Sequence, residues 1–140
     1  VSKLRSIIAS ERFQGINNLC KTAHVNIFGA RKTLEYELAS NPANIPYLVD
    51  AITQAQPRAG AKLSEVLEKL KTDEEKAACL WLYVRDRSKY KGEIAQNLAR
   101  RLKKELRIIQ AQKLGGPMID NPFIVPDYIR DAILSVTEKG

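Results

Sequence analysis

Leu63, Val66, Leu67 and Leu70 recur at i, i+3, i+4 and i+7, the spacing that lines one face of an α-helix. Similar patterns run along most of the chain. Leu4, Ile7 and Ile8 share one side of a helix predicted over 2–12, which Phe13-Gln14-Gly15 interrupts. A short helix over 16–23 follows. Past a turn at His24-Val25-Asn26, a longer helix runs to about residue 39, where Ser40-Asn41-Pro42-Ala43-Asn44 stops it. A fourth helix over 45–54 is closed by Gln56-Pro57-Arg58-Ala59-Gly60. After the Leu63–Leu70 helix, Thr72-Asp73-Glu74-Glu75 has the form of a capping box: the Thr72 hydroxyl accepts from the Glu75 amide while the Glu75 carboxylate reaches back. The helix it starts is apolar nearly all round over 77–84, which predicts a central position. A seventh helix spans 93–113 and ends at Gly115-Gly116-Pro117. An extended stretch over 118–125 leads to a last helix opened by Pro126-Asp127.

Nowhere does the pattern alternate at period two long enough to require a sheet. The expected fold is all-α, a single irregular helical bundle of about seven to eight helices over 1–140. A chain of 140 residues can bury one core, and its start at Val1 reads as a domain excised from a longer protein. Cys20 and Cys79 lie in apolar-periodic segments and read as buried, reduced thiols rather than a disulfide framework. No apolar run reaches the roughly 18–20 residues of a membrane span, and no basic-then-apolar leader opens the chain. An intracellular setting, cytoplasmic or nuclear, is the expectation, with no membrane partner.

Charge changes the picture once it is located. The net charge is +7. Residues 1–84 hold 11 basic and 9 acidic side chains, 85–113 hold 10 and 3, and 114–140 hold 2 and 4. The whole excess therefore sits in the basic segment 85–113, where it attracts a polyanion or an acidic surface. Winding 93–113 at about 100° per residue puts Ile94, Leu98, Leu102, Leu106 and Ile109, with Ala95 and Ala99, on one side. Arg100, Lys103, Lys104 and Arg107 fall on the other. Arg87, Lys89 and Lys91 extend the strip upstream, beside Trp81, Tyr83 and Tyr90, rings that either stack on bases or fill the core. Like charges at i and i+4 disfavour a helix, so a row of cations at such spacing asks for an anion.

A second stretch points the same way. Residues 15–34 carry Leu19, Val25, Ala30 and Leu34 at apolar positions, Cys20 in a small-residue slot and His24 at the turn. This resembles the twenty-residue pattern of helix-turn-helix DNA-binding repressors, and marks 13–40 as a helix-turn-helix-like pair. The resemblance implies that Asn26 caps a recognition helix, that Ile27, Phe28 and Lys32 face DNA, and that Arg31 lies nearby. Asn26, Arg31 and Lys32 are the base-reading candidates.

Other chemistry finds little support. His24 is the only histidine, and with two separated cysteines it gives too few ligands for zinc. Gly115-Gly116-Pro117 lacks the phosphate-loop pattern. The expectation is therefore no enzyme, no metal and no cofactor. The chain reads as a module that binds DNA or RNA through backbone phosphates, or alternatively as an interaction or regulatory adaptor for an acidic protein surface.

Overall fold

The computed structural model describes residues 14–15, 28–30, 32–116 and 118–137. Six α-helices stand among them: α1 (Leu34–Ala39), α2 (Ile45–Ala55), α3 (Pro57–Lys69), α4 (Asp73–Asp86), α5 (Lys91–Gln112) and α6 (Asp127–Thr137). Short 3₁₀ turns occupy Pro42–Asn44 and Ser88–Tyr90. No strand occurs among the described residues, which are all-α. The count is six rather than seven to eight, and the helices expected over 2–12 and 16–23 lie outside the described residues. The chain divides into two compact units, Leu38–Ile124, and Val1–Glu37 taken with Val125–Gly140.

Local chemistry explains where the elements begin and end. Phe28, Gly29 and Ala30 are not helical, so α1 starts later than the apolar pattern predicts. Thr33 provides the start: its hydroxyl accepts from Tyr36 N–H at 3.4 Å and its carbonyl from Glu37 N–H at 3.0 Å. The loop expected at Gln56–Gly60 is almost wholly helix, with Gln56 as the break and Pro57 at the first position of α3, where its missing N–H costs nothing. Gly60 is required there. A Cβ at that position would run into the Thr53 side chain and lie 2.7 Å from Thr53 Cα, so α3 folds back on α2 only because residue 60 has none.

The predicted capping box is present: Thr72 Oγ1 accepts from Glu75 N–H at 3.2 Å and Glu75 Oε2 accepts from Thr72 N–H at 3.2 Å. The helix it starts is not the centre of the fold. Only Ala77, Leu80 and Val84 of α4 are buried, Leu82 is exposed, and the Cys79 thiol is half-buried rather than buried, its pKa pushed up by burial. The central helix is α2, which packs on both α3 and α5 and buries Tyr47, Leu48, Ala51 and Ile52. Ala51 is small enough to let the backbones of α2 and α5 approach.

At its far end α5 closes in a Schellman motif. Gly116 N–H reaches Ala111 O at 3.0 Å, Gly115 N–H reaches Gln112 O at 2.9 Å, and Gly115 takes φ +87°. The chain then crosses back as an extended strap that is held mainly by its backbone. Tyr47 Oη donates to Asn121 O (2.8 Å), Phe123 N–H donates to Glu105 Oε1 (3.0 Å), and Asn44 bonds both polar groups of Ile124 (2.8 Å each). The Phe123 ring meets Tyr47 edge-on, with centroids 5.4 Å apart. In the other unit α6 buries none of its residues. Tyr128 of this helix is half-buried, which raises its phenol pKa, and Glu37 and Glu35 add to the rise.

Candidate nucleic-acid interface

α5 has 22 residues and is about 33 Å long at 1.5 Å per residue. Its buried side chains are Ile94, Asn97 and Glu105, so the packed face is not the one that the apolar pattern marks. Leu98, Leu102 and Ile109 are half-buried, Ala95 and Ala99 are exposed, and Leu106 is 54% exposed. The helix is turned by roughly 60° from the apolar prediction, taking about 100° per residue.

Polar groups won the interior because each finds a partner there. Asn97 Nδ2 donates to Ala51 O at 3.2 Å. Glu105 accepts from the strap. Arg101 Nη1 lies 2.8 Å from Asp50 Oδ2 and 3.2 Å from Pro46 O, and its guanidinium carbon sits 4.2 Å from the centre of the Tyr47 ring. Paired in this way, a polar side chain loses little on burial. The Tyr47 hydroxyl in this cluster has its pKa pushed up to about 12, first by burial and then by the neighbouring Glu105 carboxylate.

This rotation leaves the predicted strip outside. Arg100, Lys103, Lys104 and Arg107 are all exposed, and among the described residues none has a carboxylate within 4 Å. Glu105, the acid next in sequence, is turned inward to Phe123. Arg101, the basic neighbour facing the core, is neutralised by Asp50. Arg100 is also oriented from within: its Nη1 donates to Asn97 Oδ1 at 3.0 Å, and Asn97 in turn is bonded to α2. Four positive charges therefore project from one side of a rigid rod.

No protein-family model, curated protein or solved structure matches the chain.

The upstream cations are placed differently. Arg87 caps the end of α4 with its guanidinium carbon 4.1 Å over the Tyr83 ring, and the Lys89 ammonium lies 4.9 Å from the centre of Tyr90. Lys91 is exposed at the start of α5. Arg85 sits 5.2 Å over Trp81 and pairs with Asp86 at 3.0 Å. The three rings are half-buried, each with a cation on one face. Tyr83 Oη donates to Gln56 Oε1 at 3.0 Å, so its ring is held at both ends, and burial raises its pKa. That bond holds Gln56, two positions before exposed Arg58, against the Tyr83 ring. Sequence reading passed over Arg58 because only the tertiary contact connects it to the basic segment.

Of the helix-turn-helix candidates, Asn26 and Arg31 lie outside the described residues, as does Ile27. Lys32 stands at a bend with its ammonium 4.2 Å from the Tyr36 ring centre. Phe28, which the resemblance places on a recognition helix, is in non-helical chain. Among the described residues no group of three His, Cys, Asp or Glu side chains is arranged to hold a metal ion, and no helix is long and apolar enough to cross a membrane.

Proposed function

We propose that the chain is a non-catalytic helical module that binds nucleic acid, DNA or RNA, by laying the outer face of α5 against backbone phosphates. One observation carries the reading: Arg100, Lys103, Lys104 and Arg107 project together with no carboxylate within 4 Å among the described residues, while the acid and the base beside them are tied inward. Holding like charges at positions 100/104 and 103/107 costs a few tenths of a kcal/mol per pair in an isolated helix. Phosphates reverse that cost and release condensed counterions. Contacts of this kind position a strand without reading its bases, so the binding is sparing in sequence preference. A module of this kind works inside the cell, in cytoplasm or nucleus.

The exposed stripe Ala95, Ala99 and Leu106 beside the cations favours a second reading. An acidic amphipathic helix of another protein would match both the charge and the apolar edge.

Titration with labelled duplex and single-stranded oligonucleotides at two salt concentrations separates the two. Neutralising about six phosphates, four by the strip and the rest by upstream cations, gives a log–log salt slope near −5 on duplex and about −4 on single strands. Changing Arg100, Lys103, Lys104 and Arg107 together to Glu abolishes that binding. No binding at low salt, or equal binding by the variant, rules out the nucleic-acid reading and leaves the protein partner.

A further inference from the structure

Two tyrosine–arginine stacks stand on this unit, and they differ in one respect. Arg101 over Tyr47 is closed off: Asp50 holds its guanidinium at 2.8 Å and the Pro46 carbonyl takes a further N–H. Arg87 over Tyr83 has the same 4.1–4.2 Å stacking distance, but no carboxylate lies within 4 Å of it among the described residues, because the neighbouring Asp86 is paired with Arg85. The first stack is a structural joint. The second is a half-buried guanidinium held over a ring, with no carboxylate to neutralise it among the described residues.

Its surroundings match a nucleotide. Tyr83 is anchored through its hydroxyl to Gln56, so the platform under Arg87 does not rotate away. Gln56 and exposed Arg58 line a shallow groove of about 510 Å³ at the start of α3. The 3₁₀ turn that follows Arg87 in the chain carries Lys89 over the Tyr90 ring. A base needs a flat, weakly hydrated partner, and guanidinium planes and aromatic rings are the side chains that provide one. The phosphates on either side of that base need cations, which Arg58 and Lys89 supply.

We infer that the Tyr83–Arg87 stack is a base platform for single-stranded nucleic acid, flanked by Arg58 and Lys89 for the adjoining phosphates. The inference rests on the nucleic-acid reading of α5 and narrows it. Bases inside a duplex are already stacked and offer only their edges, whereas an unpaired base offers its face. The strip on α5 can hold either form, and the platform can hold only the single strand.

The test compares a short labelled DNA oligonucleotide with the same strand made abasic, and repeats the pair in RNA. The protein binds the base-bearing strand about tenfold more tightly than the abasic one, the effect of one stacked base. Arg87→Lys keeps the charge and removes the plane, so it brings that ratio close to one while duplex binding stays as it was. Tyr83→Leu does the same by removing the support. A ratio of two affinities does not depend on the fraction of protein folded, which protects the comparison against a destabilised variant. Binding without discrimination between the two strands, or discrimination that survives both variants, overturns the platform and leaves the α5 strip standing. If no strand binds even at low salt, platform and strip fall together.

Discussion

The side-chain amide of Asn44 and the main chain of Ile124, 80 positions apart, exchange two hydrogen bonds of 2.8 Å. Asn44 is fully buried and also donates to Leu38 O at 3.0 Å, so one amide ties the end of α1, the start of α2 and the strap that follows α5. The strap in turn engages Glu105. That contact keeps an acid out of the cationic strip and ties the fold to the site.

Asn44→Ala removes all three bonds and leaves the Leu38 carbonyl and both polar groups of Ile124 without their partner. The expected loss is roughly 2–4 kcal/mol. Urea denaturation measures it. A loss under about 0.5 kcal/mol, the range of an inconsequential surface change, means that the strap is held by something else.

Arg101 and Lys104 should separate stability from binding, although they are three residues apart on one helix. Arg101→Gln breaks the contacts to Asp50 and Tyr47 and costs about 1 kcal/mol, a modest sum for a half-exposed pair and a cation–π contact. Its oligonucleotide affinity is unchanged at temperatures where it is folded. Lys104→Gln leaves the melting temperature alone and weakens binding, lowering the salt slope by about 1. Reversed outcomes would mean that α5 presents its other face.

The rotation of α5 has its own test. Leu106→Ala costs less than about 1 kcal/mol because the side chain is already more than half exposed. Ile52→Ala, at a fully buried position on α2, costs about 3–4 kcal/mol through lost contacts and a cavity. Equal costs would restore the register that the apolar spacing predicts.

Tyr47 makes stability depend on alkaline pH. Its folded pKa is raised from 10.0 to about 12, chiefly by burial, so the neutral phenol is favoured in the folded state. The contribution is complete below pH 10 and is lost as pH rises toward 12. Tyr47→Phe keeps the ring against Phe123, gives up the bond to Asn121 O, and costs about 1 kcal/mol at neutral pH. It also removes Tyr47's share of the alkaline loss, seen as a flatter high-pH limb in thermal melts. An alkaline limb that does not change in Tyr47→Phe assigns the loss to other tyrosines.

At the acid end the capping box behaves in the opposite sense. Backbone N–H groups of Thr72 and Lys71 hold the Glu75 carboxyl below its usual 4.5. Its contribution is therefore present above the unfolded value and disappears as pH falls through the lower folded one. Glu75→Gln makes the acid limb of the melting curve shallower, and Thr72→Ala costs about 1 kcal/mol at neutral pH. Parallel acid limbs in Glu75→Gln and the parent chain would contradict this.

Short-range chemistry could be read directly from the residues. Thr72 and Glu75 bond each other across three positions, Gly115-Gly116 stops α5, and Pro126 precedes α6, so the all-α class and most helix ends follow from the local chain. The cationic strip could also be read, because Arg100, Lys103, Lys104 and Arg107 share a side of any α-helix. Gln56–Gly60 was misleading for the same reason: proline and glycine mark turns locally, while here Pro57 starts a helix and Gly60 makes room for Thr53.

Which face of α5 is covered depended on partners far along the chain. Apolar spacing favours Leu98, Leu102 and Leu106. The hydrogen bonds of Asn97 to Ala51, Arg101 to Asp50 and Glu105 to Phe123 favour a face turned away from it. Those partners lie 46, 51 and 18 positions away, distances over which no periodicity carries information. The same holds for the bond between Tyr83 and Gln56, 27 positions apart. Along the chain, backbone geometry and near neighbours set which residues share a helix side. Across it, a polar group is buried only where a distant donor or acceptor meets it, and that meeting exists only once the helices have packed.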